Sequence, residues 1–218
     1  MISLRIKNLA DMITKKSKGV MDIGSDHGYL LILLREKYPD LVLAGVENKK
    51  GPFTNLKNNV SDKNIECFLS DGLNAYDSNY DTIVMAGMGF LNMQKIVNKN
   101  IKALKHINYI LIDSHNMIPE AREFFCRCGY KIIDERIIKE DDIFYELLLF
   151  EKGVSDYSKK EYQFGPILLK SKNAIFIEKY NVQIEKLNYI KNNNKLNQSK
   201  IDEIDFKIKS YKEILNEN

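Results

Sequence analysis

Cysteine is scarce in this chain of 218 residues: there are three, Cys67, Cys126 and Cys128. An odd number without framework spacing argues against structural disulfides. Cys126 and Cys128 stand too close together for a usual zinc pair and have no histidine nearby, so no metal is expected. Cys67 falls in an apolar run and reads as a small buried hydrophobe. No run of about 20 apolar residues occurs, which argues against a transmembrane helix. The opening Met-Ile-Ser-Leu-Arg-Ile-Lys has no signal-peptide apolar core, so a cytoplasmic protein is expected. Two phosphate-binding signatures, G-x-G-x-x-G and G-x-x-x-x-G-K-[ST], are missing as well.

The composition that remains is that of an ordinary globular protein, 44% hydrophobic and 29% charged. The length suits one α/β domain with an appendage. Net charge is +3, and its distribution says more than its total. Residues 1–154 carry 21 basic and 21 acidic side chains, whereas residues 155–218 carry 12 and 9. The excess therefore lies in the tail. It fits either a weak attraction to a polyanion or a solvated lysine-rich helical surface.

The chain is organised around residues 20–30, Val-Met-Asp-Ile-Gly-Ser-Asp-His-Gly-Tyr-Leu. An apolar run ends at Asp22, glycines stand at 24 and 28, and a helical pattern begins at Tyr29. In an open α/β sheet, ligands bind beyond the carboxyl ends of the strands, where such turns lie. Glycine lets the backbone approach a ligand closely. Asp26 stands where a dinucleotide fingerprint has its second glycine, and its carboxylate would repel a pyrophosphate. A nucleoside without phosphates remains, and S-adenosylmethionine fits. The alternative is that Gly24 and Gly28 merely make a compact strand-to-helix turn.

The pattern continues as βα units. Residues 2–15 put Ile2, Ile6, Leu9, Met12 and Ile13 on one helical face. Strands are expected at 19–24, 41–47, 65–69, 81–86 and 107–113, with helices at 28–37, 51–60, 89–104 and 118–127. Residues 130–138 and 143–151 follow with no helix between them, which predicts an antiparallel hairpin at the sheet edge. Right-handed crossovers then give a doubly wound sheet of seven strands with the last inserted antiparallel. The expected division is a domain at 1–153 and an appendage at 154–218. In the appendage, Ile177, Tyr180, Ile184 and Leu187, then Ile201, Ile204, Ile208, Tyr211 and Leu215, recur at three and four around a polar stretch. Two such seams predict an antiparallel, coiled-coil-like helical hairpin.

Three acids end the first three strands. Glu47, beside Asn48, lies 23 residues after Gly24, a position suited to accepting from ribose hydroxyls. Asp71, followed by Gly72, could accept from an adenine amino group. Either acid alone could be an ordinary loop residue. Gly87-Met88-Gly89 follows the central strand, where a methyl group would meet its acceptor. No Asn-Pro-Pro-aromatic or Asp-Pro-Pro-aromatic motif is present, which tilts away from exocyclic amines. His27 lies in the glycine turn, and His115 and Asn116 lie on the pocket rim after strand five. His106 reads as surface.

These residues resemble the bacterial tRNA (adenine(22)-N(1))-methyltransferases over nearly the whole length. The matches are Asp22-Ile-Gly-Ser-Asp-His27 with Tyr29-Leu30, Gly51-Pro52-Phe53, Asp71-Gly72-Leu73, Thr82 to Gly89, Tyr145-Glu146, and Gly165-Pro166 with Lys172-Asn173-Ala174. The resemblance implies a Rossmann-like, S-adenosylmethionine-dependent methyltransferase domain, a tRNA substrate methylated on adenine N1 in the D-arm region, and a monomer, with a dimer left open. It implies Asp26 as the catalytic residue. It implies Asp22, Gly24, Ser25, His27, Gly28, Glu47, Asn48, Asp71, Gly72, Ala86, Gly87 and Met88 at the cofactor. It implies Arg5, Tyr29, Gly89, Phe90, His115 and Asn116 at the acceptor, with Phe90, Tyr29 or His115 stacking on the adenine. The sequence departs from the family's pattern at Phe90, where a glycine is usual, at Ser114-His115, where Gln-Pro is usual, and in the strand-two acid, displaced by one residue. A small-molecule methyltransferase and a non-catalytic RNA-binding module are the alternative functions.

Overall fold

A computed structural model describes residues 2–216. They divide into two compact units between Gly165 and Pro166. The first carries all seven strands: β1 (Gly19–Ile23), β2 (Val42–Glu47), β3 (Glu66–Leu69), β4 (Thr82–Met88), β5 (Tyr109–Ser114), β6 (Tyr130–Glu140) and β7 (Ile143–Lys152). Its helices are α1 (Leu4–Met12), α2 (Tyr29–Lys37), α3 (Lys50–Asn59), α4 (Phe90–Lys99), α5 (Ile118–Arg127) and α6 (Lys159–Phe164). Because α6 belongs to this unit, the compact body continues past Gly153.

The strands are ordered β3-β2-β1-β4-β5-β7-β6. The five from β3 to β5 run parallel, and β7 lies antiparallel between β5 and β6. This is the seven-stranded methyltransferase-type sheet that the alternation of strands and helices implies. Strand order reverses between β1 and β4, and such a switch point opens a crevice at the carboxyl ends of the strands. β1 and β5 are buried along their whole length, as central parallel strands covered on both faces must be. On one face, α1, α2 and α3 set Leu9, Leu31, Leu34 and Leu56 against Val20, Leu43, Val84 and Leu111. On the other, Phe125 of α5 packs on Phe150 of β7, ring centroids 5.1 Å apart.

Most boundaries shift by a residue or two from the sequence expectation, and three of the differences have a clear local reason. The leading helix is shorter than 2–15, because the Ser3 side chain caps it by accepting from the Ile6 amide, and Ile13 is already extended. α4 stops at Lys99, and a 3-10 turn, Ile101–Lys105, replaces its expected end. β4 runs on to Met88 through a bulge at Gly87, whose φ of +72° suits glycine.

The second unit holds α7 (Pro166–Ser171), α8 (Ala174–Asn193) and α9 (Gln198–Asn216). α8 and α9 pack antiparallel: Tyr180 meets Tyr211 at 5.1 Å, and Lys191 reaches Asp205. The α9 seam keeps Ile204 and Ile208 buried as expected. On α8 Tyr180 is buried and Ile184 and Leu187 are half-buried as expected, but the seam starts at Phe176, with Ile177 exposed.

Candidate active site

The β1–α2 turn is built by its backbone. Gly24 (φ +78°), Asp26 (φ +50°) and Gly28 (φ +71°) all adopt left-handed conformations. The amides of Gly24 and Ser25 both donate to the Val46 carbonyl, at 2.9 and 3.3 Å, which ties the turn to the end of β2. Gly28 caps α2 and has no room for more, because a Cβ there would lie 2.8 Å from Leu56. Gly24 instead faces open space apart from the tip of Met88 at 3.2 Å.

Two buried carboxylates underlie this turn. Asp22 accepts from the Ser25 hydroxyl at 2.6 Å. Glu47 accepts from the Asp26 amide at 2.5 Å. Burial pushes the Asp22 carboxyl up to about 6, against the pull of the Ser25 hydrogen bond, with the nearby Glu47 charge adding to the rise. The Asp26 side chain is 67% exposed and stands at the mouth, its carboxylate 3.8 Å from His27 Nε2. The His27 and Tyr29 rings stack 5.5 Å apart.

A cleft of about 390 Å³ opens beside the turn. Of the expected cofactor residues, Gly24, Glu47, Asn48, Asp71, Gly72 and Met88 line it. Asp22, Ser25 and Gly28 support it from below or behind, His27 stands at the outer turn, and Ala86 and Gly87 lie along β4 away from its wall. The opposite wall was not anticipated from the sequence. It is a face of α4, with Asn92, Lys95, Ile96 and Lys99. Their spacing of three and four after a glycine-rich strand end is the signal that marks this face. Lys99 also engages Asp71 at 2.7 Å, with both side chains more than half exposed.

Of the expected acceptor residues, Arg5, Gly89, His115 and Asn116 lie around the ends of β4 and β5, whereas Tyr29 opens α2. Arg5 of α1 donates from Nη1 to Asp113 at 2.5 Å and lies 5.4 Å from the centre of the Tyr145 ring. Asn116 accepts from the Phe90 amide at 3.2 Å and lies against Gly89. His115 is exposed, with its amide bonded to the Met88 carbonyl. The Phe90 ring does not face the site. It is buried against Phe124, because position 90 opens the apolar face of α4. Tyr29, at 47% exposure, and His115 are the rings left at the mouth.

The cleft suits a cationic nucleoside. Its floor is acidic, its glycine opening admits a ligand backbone-close, and a second pair, Asp71 and Gly72, lies at the other end. A pyrophosphate would meet Asp26 and Glu47 instead of helix amides. Among the described residues no group of His, Cys, Asp and Glu could hold a metal ion, and no helix is long and apolar enough to cross a membrane.

Comparison with known proteins agrees with this geometry. The sequence profile of the tRNA (adenine(22)-N(1))-methyltransferase family matches residues 20–213. The tRNA (adenine(22)-N(1))-methyltransferase of Bacillus subtilis is 28% identical over 197 residues, which cover 84% of this chain and 82% of that protein. The crystal structure of Streptococcus pneumoniae Sp1610 in complex with S-adenosyl-L-methionine superposes with a TM-score of 0.88 at 28% identity, covering 99% of this chain and 100% of that one. The structure of Mycoplasma capricolum TrmK with S-adenosyl-homocysteine gives 0.86 at 25% identity, over 99% and 98%. On these grounds the chain belongs to the tRNA (adenine(22)-N(1))-methyltransferase family.

Proposed function

We propose that this enzyme transfers a methyl group from S-adenosylmethionine to N1 of adenine 22 in tRNA, with Asp26 as the residue that acts on the acceptor. The observation that carries the assignment is the left-handed Asp26, its amide fixed by Glu47 and its carboxylate exposed beside the cleft, 3.8 Å from His27 Nε2.

S-adenosylmethionine supplies an electrophilic methyl group when bound. Asp22 and Glu47 would hold its polar groups, Glu47 by accepting from ribose hydroxyls, and Asp71 would accept from the cofactor's adenine amino group. The acceptor N1 already carries a lone pair, so no base is needed before attack. What the protein must do is hold the two reactants in line and exclude water. Methylation makes the acceptor ring cationic and its amino hydrogens more acidic. A carboxylate at Asp26 accepting from that amino group therefore binds the transition state more strongly than the ground state. N1 lies on the pairing edge, so the base must be unpaired or turned out, and the exposed Tyr29 and His115 would stack on it.

The tail adds affinity for the RNA. Lys186, Lys195 and Lys212 are exposed on the α8–α9 hairpin, and they supply the sequence-independent phosphate contacts. Changing these three to glutamine should weaken tRNA binding and flatten its dependence on salt.

The assignment is tested by methyl transfer from labelled S-adenosylmethionine to unmodified tRNA transcripts, with nucleoside mass spectrometry of the product. The expected product is 1-methyladenosine at one D-arm adenine. Cofactor binding without transfer to any tRNA would overturn it.

A further inference from the structure

We propose that Asp113 and Tyr145 are positioning residues that hold Arg5 as a fixed guanidinium at the acceptor mouth, where it binds a phosphodiester oxygen beside the target adenosine. The inference rests on the tRNA reading above and adds to it the anchor point of the substrate backbone.

Asp113 is fully buried at the end of β5. A buried carboxylate needs a cation or several donors. Arg5 supplies one contact, from Nη1 to Oδ2, while Oδ1 is buried without a hydrogen-bond partner among the described residues. A carboxylate so placed binds Arg5 from behind and leaves the outer edge of the guanidinium uncommitted. Arg5 Nη2 and Nε make no hydrogen bond among the described residues, and the side chain is 24% exposed. The Tyr145 ring, 5.4 Å away, supports the guanidinium plane.

The helix bearing Arg5 is itself fixed. The amides of Leu4 and Arg5 donate to the Glu140 carboxylate at 2.6 and 3.3 Å, which closes the start of α1 onto the β6–β7 turn. Gly87 completes the arrangement. A Cβ at that position would lie in ordinary contact with Arg5 Nη1, at 3.4 Å, which puts the guanidinium directly beside the strand-four bulge. The next residue along β4, Met88, lines the cofactor cleft. The guanidinium thus lies beside the same strand end that contributes Met88 to the cleft.

The ligand class follows from chemistry. The anionic groups flanking an internal nucleotide of an unmodified RNA are phosphodiesters, and a planar guanidinium fork matches their oxygens. A nucleotide turned out to expose N1 carries its two flanking phosphates to the mouth. A contact of this kind sets register and not sequence.

The test uses tRNA ligated with a single uncharged methylphosphonate at either linkage flanking the target adenine. kcat and KM for tRNA are measured with wild type, Arg5→Gln, Asp113→Asn and Tyr145→Leu. One of the two linkages should raise the wild-type KM roughly 10-fold, as expected for loss of a charge-assisted hydrogen bond. On native tRNA each variant should show a similar rise, and the methylphosphonate should then add little. Should Asp113→Asn fail to fold, Tyr145→Leu, altered at a half-buried ring, carries the same comparison. Insensitivity of wild type to both linkages, or an undiminished methylphosphonate effect in the variants, would overturn the proposal. Absence of any transfer by wild type to native tRNA would instead overturn the tRNA reading on which it rests.

Discussion

The backbone amide of Asp26 donates to the carboxylate of Glu47 at 2.5 Å, across 21 positions of sequence. One acid therefore lines the cofactor cleft and fixes the left-handed turn that presents the other at the acceptor mouth. In the proposed function, cofactor site and acceptor site share this hydrogen bond.

That sharing separates the two acids kinetically. Asp26→Asn keeps the left-handed backbone, which asparagine tolerates, but removes the charge. It should lower kcat roughly 100-fold, the scale of losing one transition-state contact, with little change in cofactor affinity. Glu47→Gln should weaken cofactor binding and lower kcat together. Steady-state kinetics with tRNA, and calorimetry with cofactor, check both. Equal effects of the two variants on cofactor affinity would count against the division of roles.

Asp22 gives the cofactor-free protein a pH signature. Its carboxyl is pushed up from 3.8 to about 6, chiefly by burial. The folded state therefore binds this proton more tightly than the unfolded state. The stability it contributes is full below about pH 4 and is lost as pH rises through about 6. The ionised form at pH 8 costs about 3 kcal/mol by this linkage. Asp22→Asn should accordingly stabilise the free protein most at pH 8 and least at pH 4, as read by denaturant unfolding. The same variant should weaken S-adenosylmethionine binding, and wild-type affinity should fall below pH 6. A stability difference independent of pH would rule out this origin.

The two glycines of the turn should fail differently. Gly28→Ala forces a Cβ to 2.8 Å from Leu56 and 3.0 Å from Val60 at a positive φ, so it should destabilise the fold by about 1–3 kcal/mol. Gly24→Ala meets only the flexible end of Met88. Its main effect should be lost cofactor affinity, with a smaller fall in melting temperature. Melting curves with and without cofactor distinguish the two: Gly24→Ala should lose the ligand-induced rise.

Arg122 should be the most damaging single position outside the site. It is fully buried, donates to Glu135 at 2.7 Å and to Glu146 at 2.6 Å, and reaches the Tyr162 carbonyl at 3.2 Å. It thereby ties α5, the β6–β7 hairpin and α6 together. Arg122→Met removes the guanidinium from two buried carboxylates and should cost about 3–5 kcal/mol. The triple change with Glu135→Gln and Glu146→Gln should recover much of that loss. Urea unfolding of the single and triple variants checks this, and a triple variant no more stable than the single one would refute it.

Local pattern determined much of this protein. Apolar runs alternating with helical spacing gave the strand and helix order, and the missing helix between residues 130 and 151 gave the antiparallel insertion. The glycines and acids at the ends of β1, β2 and β3 marked the cleft. Such patterns record which side of an element is apolar and where the backbone must turn, because both depend on neighbours in sequence. Tertiary structure alone decided which element lies opposite. It turned the Phe90 ring inward against Phe124, brought the Asn92–Lys99 face of α4 across the cleft, and set Arg5 on Asp113 across 108 positions of sequence. Each of these depends on packing between distant segments, which no local spacing encodes. The buried charge of Asp113 became visible only when β5 was enclosed on both faces.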